Sequence, residues 1–99
     1  MKTSEELYFF LDVREEEEFI KDSVPNSFNM PLRKVLSVGY GFSNGFWENM
    51  IPKDKFIVLY CTTGRSAKMA EQALREKNYK TKNLETLEKA KRFYNAITN

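Results

Sequence analysis

Hydrophobic positions divide this chain into segments with two different periodicities. Residues 7–13 and 56–60 are nearly continuous apolar runs with many aromatic and β-branched side chains, which is typical of strands buried on both faces. Residues 27–32 and 79–84 are shorter runs that predict two further strands. Helical spacing follows the strands, at residues 15–20, 33–37, 67–77 and 84–97.

This alternation of strands and helices predicts the fold class. We expect an α/β fold in which a small, mostly parallel sheet of four to five strands carries helices on both faces. Residues 7–13 have little polar alternation and are predicted to form a central strand. A chain of 99 residues is long enough for one hydrophobic core and not for two, so we expect a single domain over residues 1–99.

Glycines and aromatic residues interrupt the alternation between residues 39 and 51. Gly39, Gly41 and Gly45 predict a flexible loop, and four aromatic side chains fall within residues 40–47. Residues 46–51 have the spacing of one face of a short helix. These aromatic side chains either cover one end of the core or form a wall of an active-site mouth or a docking surface.

Charge is unevenly distributed, although the net charge is only +2. Residues 1–50 carry five basic and nine acidic side chains, whereas residues 51–99 carry eleven basic and five acidic ones. A basic half can attract RNA, anionic substrates or acidic proteins. The solvated faces of two amphipathic helices explain the same pattern, so a nucleic-acid partner is not expected.

The cysteine and histidine content narrows the chemistry. The single cysteine, Cys61, cannot form an internal disulfide, and the absence of histidine excludes a Cys-His catalytic pair and a histidine-ligated metal. We therefore expect no metal site. The amino terminus lacks the apolar stretch of a signal peptide, and no apolar run reaches the ~20 residues that span a bilayer. We expect a cytoplasmic protein without a membrane partner.

Cys61 directly follows the apolar run of residues 56–60, and the next residues are Thr62, Thr63, Gly64, Arg65 and Ser66. A helix then begins, so Cys61 is predicted to lie at the carboxyl edge of the sheet, where open α/β folds bind ligands. Backbone N–H groups of residues 62–66 and the helix dipole are expected to converge on an anion and to favour a thiolate. The alternative is an inert core thiol.

Two segments resemble the rhodanese (sulfurtransferase) family. The first reads D-V-R-E from Asp12 and continues as V-P-N-S-F-N-M-P-L over residues 24–32. The second is C-T-T-G-R-S-A from Cys61, which is similar to the family's C-x-x-G active-site loop. The loop position that is often arginine in the family is Ser66 here, and Arg65 stands one place earlier. The glycine pair that commonly follows N-L-E is absent after Glu85.

The resemblance implies sulfur transfer through a persulfide on Cys61. A small anionic donor such as thiosulfate, or a persulfide, gives its outer sulfur to Cys61, which passes it to a thiophilic acceptor or a sulfur-acceptor protein. No cofactor is needed. The residues implied to bind substrate are Thr62, Thr63, Gly64, Arg65, Ser66 and Arg14. For Arg14, a salt bridge with Asp12 or with the acidic residues 15–18 is an equally good interpretation.

Two other functions remain open. A rhodanese-like domain without catalytic activity can act as a binding or regulatory module. A related phosphatase or arsenate reductase has a C-x5-R loop, but the position of its arginine is occupied by Ala67.

Overall fold

The structure is a computed structural model that describes residues 2–37 and 50–99. Within these residues the strands are β1 (Tyr8–Asp12), β2 (Phe28–Asn29), β3 (Phe56–Cys61) and β4 (Lys80–Thr86). The helices are α1 (Ser4–Leu7), α2 (Glu16–Lys21), α3 (Leu32–Ser37), α4 (Arg65–Glu76) and α5 (Leu87–Thr98). None of the helices in this part of the chain has the length and hydropathy needed to cross a membrane.

The four strands form one parallel sheet in the order β2-β1-β3-β4, which confirms the predicted fold class and the central position of β1. The chain leaves β1 toward β2 on one side and later places β3 and β4 on the other. A switch point therefore lies between the carboxyl ends of β1 and β3, where Asp12 pairs with Tyr60. In open α/β sheets this is the position of the ligand crevice.

Alternate residues of β1 and β3 point to opposite faces of the sheet, and both faces are covered. On one face Leu11 and Leu59 belong to the core that contains Leu74 of α4. On the other face Phe10 and Val58 belong to the core that contains Ala90 of α5. Burial on both sides explains why the two strands lack polar alternation in the sequence.

The helix that follows Cys61 is flanked on both sides by residues in the left-handed region. Gly64 is the N-cap, with φ 95°, and α4 ends before Asn78, with φ 68°. The amide of Asn78 donates to the Arg75 carbonyl and that of Tyr79 to the Leu74 carbonyl. The expected left-handed residue at Asn78 is confirmed.

Two elements differ from the sequence prediction. Helix α1 was not expected; it begins with a capping box in which Thr3 and Glu6 satisfy each other's backbone N–H groups. Strand β2 is shorter than the predicted residues 27–32, because Pro31 has no N–H and its carbonyl accepts the amides of Lys34 and Val35 at the start of α3.

Most of the aromatic segment lies outside the described residues. The predicted loop at 39–45 and the first part of the predicted helix at 46–51 fall in residues 38–49. Ile51 is fully buried, and its carbonyl accepts the Tyr79 hydroxyl at 2.9 Å.

Candidate active site

Cys61 is the last residue of β3, and its sulfur faces the first turn of α4. The residue is 2% exposed. Its Sγ accepts the amide hydrogen of Gly64 at 2.9 Å and that of Ala67 at 3.3 Å. These donors and the amino end of α4 place partial positive charge beside the sulfur, which favours a negative charge there.

The amides of residues 62–66 were expected to converge on an anion, and the structure shows which of them already contact the sulfur of Cys61. Of these residues only Gly64 donates to Sγ, and the second donor, Ala67, lies one residue beyond them. The reason is that α4 begins at Arg65, and the amide that reaches the sulfur belongs to its third residue. Among the described residues, the amides of Thr62, Thr63, Arg65 and Ser66 have no acceptor.

Glu85 completes the surroundings of the sulfur, and sequence reasoning missed it. Its carbonyl oxygen lies 3.3 Å from Sγ and accepts the thiol hydrogen. Glu85 has φ 71°, and its amide donates to Asn83 Oδ1 at 2.8 Å. Its side chain packs beside Gly64, where a Cβ would lie 3.5 Å from Glu85 Cβ. The sequence does not reveal that Glu85 has a positive φ. Its one unusual feature there is that the glycine pair expected after N-L-E is missing.

Arg14 reaches the same edge of the sheet but is paired. Its Nε lies 3.1 Å from both carboxylate oxygens of Asp12, and its Nη2 lies 2.8 Å from Oδ2. The Asp22 carbonyl is a further acceptor of Nη2. Burial acts to lower the pKa of Arg14, but the hydrogen bond and charge of Asp12 outweigh it, so the pKa lies above its ordinary value; Glu18 contributes less. Of the two interpretations of Arg14, the structure shows the salt bridge with Asp12.

A shallow depression of about 290 Å³ leads to Cys61. Its lining residues are Arg14, Cys61, Thr62, Thr86, Leu87 and Glu88. The structure thus brings Arg14 and Thr62 together with Cys61, and the Thr62 hydroxyl donates to Glu18 Oε2 at 2.8 Å. Thr63 and Arg65 are exposed, Ser66 is half-buried, and in the described part of the chain none of the three lines this depression.

Tyr60 precedes Cys61 in β3, and its side chain is buried in the core on the other face of the sheet. Its hydroxyl accepts the Val24 amide at 3.1 Å and lies 3.0 Å from Ser27 Oγ. Burial raises the pKa of Tyr60 to about 12. These bonds tie the strand that carries Cys61 to the turn after α2.

Known proteins similar to this chain include two sulfurtransferases. One, from Schizosaccharomyces pombe, is named as a mitochondrial thiosulfate sulfurtransferase; it is 30% identical over an alignment 88 residues long, and the match covers 79% of this chain and 58% of the relative. The other is a tRNA sulfurtransferase from Desulfurococcus amylolyticus, 32% identical over 74 residues, which are 75% of this chain and 13% of the relative. The chain therefore spans only part of both relatives.

Similarity to solved structures and to a family model agrees with the geometry. The crystal structure of a single-domain sulfurtransferase from Saccharomyces cerevisiae superposes with a TM-score of 0.61 at 26% identity, over 77% of this chain and 66% of that one. The family model of the rhodanese-like domain matches residues 1–88. With a parallel sheet, a cysteine at the carboxyl end of β3 and this match, the chain belongs to the rhodanese-like domain family.

Proposed function

We propose that this protein is a sulfurtransferase that carries sulfane sulfur as a persulfide on Cys61. The observation that carries the proposal is the environment of Sγ, which accepts two amide hydrogens at the amino end of α4 and opens to a depression at the switch point of the sheet. A histidine base is not required, because the loop backbone itself favours the thiolate.

The reaction has two steps. The Cys61 thiolate attacks the outer sulfur of a donor, the donor's S–S bond breaks, and its electron pair leaves with the remaining fragment, which is sulfite when the donor is thiosulfate. The new outer sulfur on Cys61 is then attacked by an acceptor such as cyanide or a thiol. The bond to Sγ breaks, and the thiolate is regenerated. No cofactor takes part in either step.

The loop residues have separate roles in this proposal. The unpaired amides of Thr62, Thr63, Arg65 and Ser66 are the candidates to hold the outer sulfur, because no described residue accepts their hydrogens. Gly64 makes the bend that aims its own amide at Sγ. Arg65 is exposed and unpaired among the described residues, which suits a contact with an incoming donor. Because Asp12 balances the charge of Arg14, this residue contributes hydrogen-bond donors and not an unpaired positive charge.

The names of the similar proteins suggest which partners to examine. A thiosulfate sulfurtransferase and a tRNA sulfurtransferase point to small sulfur donors and to a sulfur-acceptor protein. A reducing compartment such as the cytoplasm suits a cysteine that must return to the thiolate after each transfer.

Turnover assays test the proposal. Wild type, Cys61→Ser and Arg65→Ala are compared for transfer from thiosulfate and from small-molecule persulfides to cyanide or dithiothreitol. We expect transfer by wild type with at least one donor and a loss to background in Cys61→Ser. Arg65→Ala should weaken transfer from the anionic donor more than transfer from an uncharged one. Equal rates for wild type and Cys61→Ser would exclude a persulfide on this cysteine.

A binding module without catalytic activity makes the opposite prediction. It requires the biological role to survive in Cys61→Ser, and it explains neither the amide contacts of Sγ nor the opening beside it.

A further inference from the structure

In the described part of the chain, the charged side chains that line the depression beside Cys61 offer a dianion no unpaired positive charge. Among the described residues, Arg14 is the one cation that lines the depression, and Asp12 pairs with it at 2.8 Å. The side chain of Arg14 is only 8% exposed, so most of its surface is withdrawn from the mouth.

Two carboxylates, in contrast, contact the depression or a residue that lines it. Glu88 lines the depression, and Glu18 holds the hydroxyl of Thr62 at 2.8 Å. Neither forms an ion pair with a described residue. Glu85 packs beside Gly64, but Lys89 balances its charge at 2.7 Å. Glu88 also lies in the first turn of α5 and offsets the positive end of that helix dipole.

The loop of residues 62–66 carries one positive charge, on Arg65. Residues 38–49, which lie outside the described structure, contain no lysine or arginine and one glutamate. Among the described residues Arg65 forms no ion pair, and neither do the two carboxylates Glu18 and Glu88.

We infer that Cys61 takes its sulfur from a persulfide whose carrier bears an ammonium group near the sulfur, such as an aminothiol persulfide, in preference to thiosulfate or a carboxylate-bearing persulfide. This inference rests on the proposed function and names its donor class. The ammonium group meets Glu88 and Glu18, whereas a second negative charge on the donor is repelled by them.

The transfer balances without another reactant. The Cys61 thiolate attacks the outer sulfur of the protonated aminothiol persulfide, and the donor's S–S bond breaks. The electron pair leaves with the aminothiol as its thiolate, and the proton stays on the outer sulfur now bound to Cys61. One sulfane sulfur changes carrier, and nothing is oxidised or reduced overall.

A matched pair of donors tests the inference. Cysteamine persulfide and 3-mercaptopropionate persulfide both have two methylene groups between the sulfur and the charged group, and they differ in the sign of the charge; thiosulfate is the third donor. The rate of sulfur addition to Cys61 is measured by rapid quench and intact mass. Each rate is divided by the rate of the same donor with free mercaptoethanol, which removes the donor's intrinsic reactivity.

The decisive quantity is the normalised ratio of cysteamine persulfide to 3-mercaptopropionate persulfide. We expect this ratio to be about ten in wild type at low salt and to fall by about two- to fivefold in Glu88→Gln. Added salt should also lower the ratio, because it screens the interaction between the donor's charge and the carboxylates. Glu5→Gln removes the same charge from an exposed position at the opposite, amino edge of the sheet and should leave the ratio unchanged.

The donor preference and the proposed function are contradicted by different results. A ratio of one or less, a preference for thiosulfate, or a ratio that Glu88→Gln does not lower would overturn the inference while leaving sulfur transfer intact. Failure of all three donors to add sulfur to Cys61 would contradict the proposed function itself.

Discussion

Two residues in the left-handed region face each other across the sulfur of Cys61. Gly64 directs its amide to Sγ, and Glu85 directs its carbonyl to the same atom. The amide favours the thiolate, whereas the carbonyl accepts a hydrogen that only the thiol carries. The N-cap residue of α4 thus donates to the sulfur, and a residue near the end of β4 accepts from it.

Replacing Gly64 with alanine tests the first of these residues. The added Cβ meets only ordinary contacts, the nearest at 3.5 Å, so the cost comes from φ 95° and not from crowding. We expect a loss of about 1–2 kcal/mol in the free energy of unfolding, measured with urea, and slower sulfur addition to Cys61. Gly64→Asn is the matched control and should cost less, because asparagine tolerates this region. An alanine variant as stable as wild type would contradict the strain argument.

Ionisation of Tyr60 should make the free energy of unfolding depend on pH in the alkaline range. Its folded pKa of about 12 lies above the ordinary value of 10, so between these values the folded state binds more protons than the unfolded state. The contribution is complete below pH ~10 and is lost as pH rises toward 12, by about 2 kcal/mol. Urea unfolding at several pH values should show this loss in wild type and not in Tyr60→Phe. Parallel curves for the two proteins would show that Tyr60 is not responsible.

At the scale of elements, a buried polar network joins the carboxyl ends of the strands beside Cys61. Asp12, at the end of β1, accepts the backbone amide of Arg14 and its guanidinium. Arg14 also reaches the Asp22 carbonyl at the end of α2, and the side-chain amide of Asn29 in β2 donates to the carbonyls of Asp12 and Arg14. The network fixes the wall of the depression.

Removing one partner of the Asp12–Arg14 ion pair should lower the free energy of unfolding. Asp12→Ala leaves a largely buried guanidinium without its carboxylate, and we expect a loss of about 3–5 kcal/mol in the free energy of unfolding. The double variant Asp12→Ala with Arg14→Met removes both charges and should lose less than the sum of the two single variants. Strictly additive losses in urea unfolding would mean that the two side chains are not coupled.

The elements differ in how much the sequence revealed. Strands β1 and β3 were predictable because continuous apolar runs between turns have one good interpretation in an α/β chain. Helix α1 was missed although Thr3 and Glu6 have the spacing of a capping box, because four residues give no hydrophobic period. The end of β2 depends on how Pro31 starts the next helix, which the apolar pattern does not reveal.

At the scale of the whole molecule, the site joins nearby and distant parts of the chain. The sequence located Cys61 and its loop because these residues are consecutive. It did not locate Glu85 or Glu18, whose contacts with the loop link residues 24 and 44 positions apart. For Arg14 the sequence left two interpretations open, substrate binding and a salt bridge with Asp12 or the acidic residues 15–18, and the structure shows the salt bridge with Asp12. Such contacts depend on sheet order and on backbone conformation.

Mass measurement of the sulfur-loaded protein decides whether Cys61 carries the transferred sulfur. Purified protein is incubated with cysteamine persulfide or with thiosulfate, the excess donor is removed, and intact mass and peptide mapping follow. We predict that wild type gains one sulfur atom, located on Cys61 and removed by cyanide as thiocyanate, and that Cys61→Ser gains none. Wild type that gains no sulfur from either donor, or sulfur bound equally to Cys61→Ser, would contradict the account.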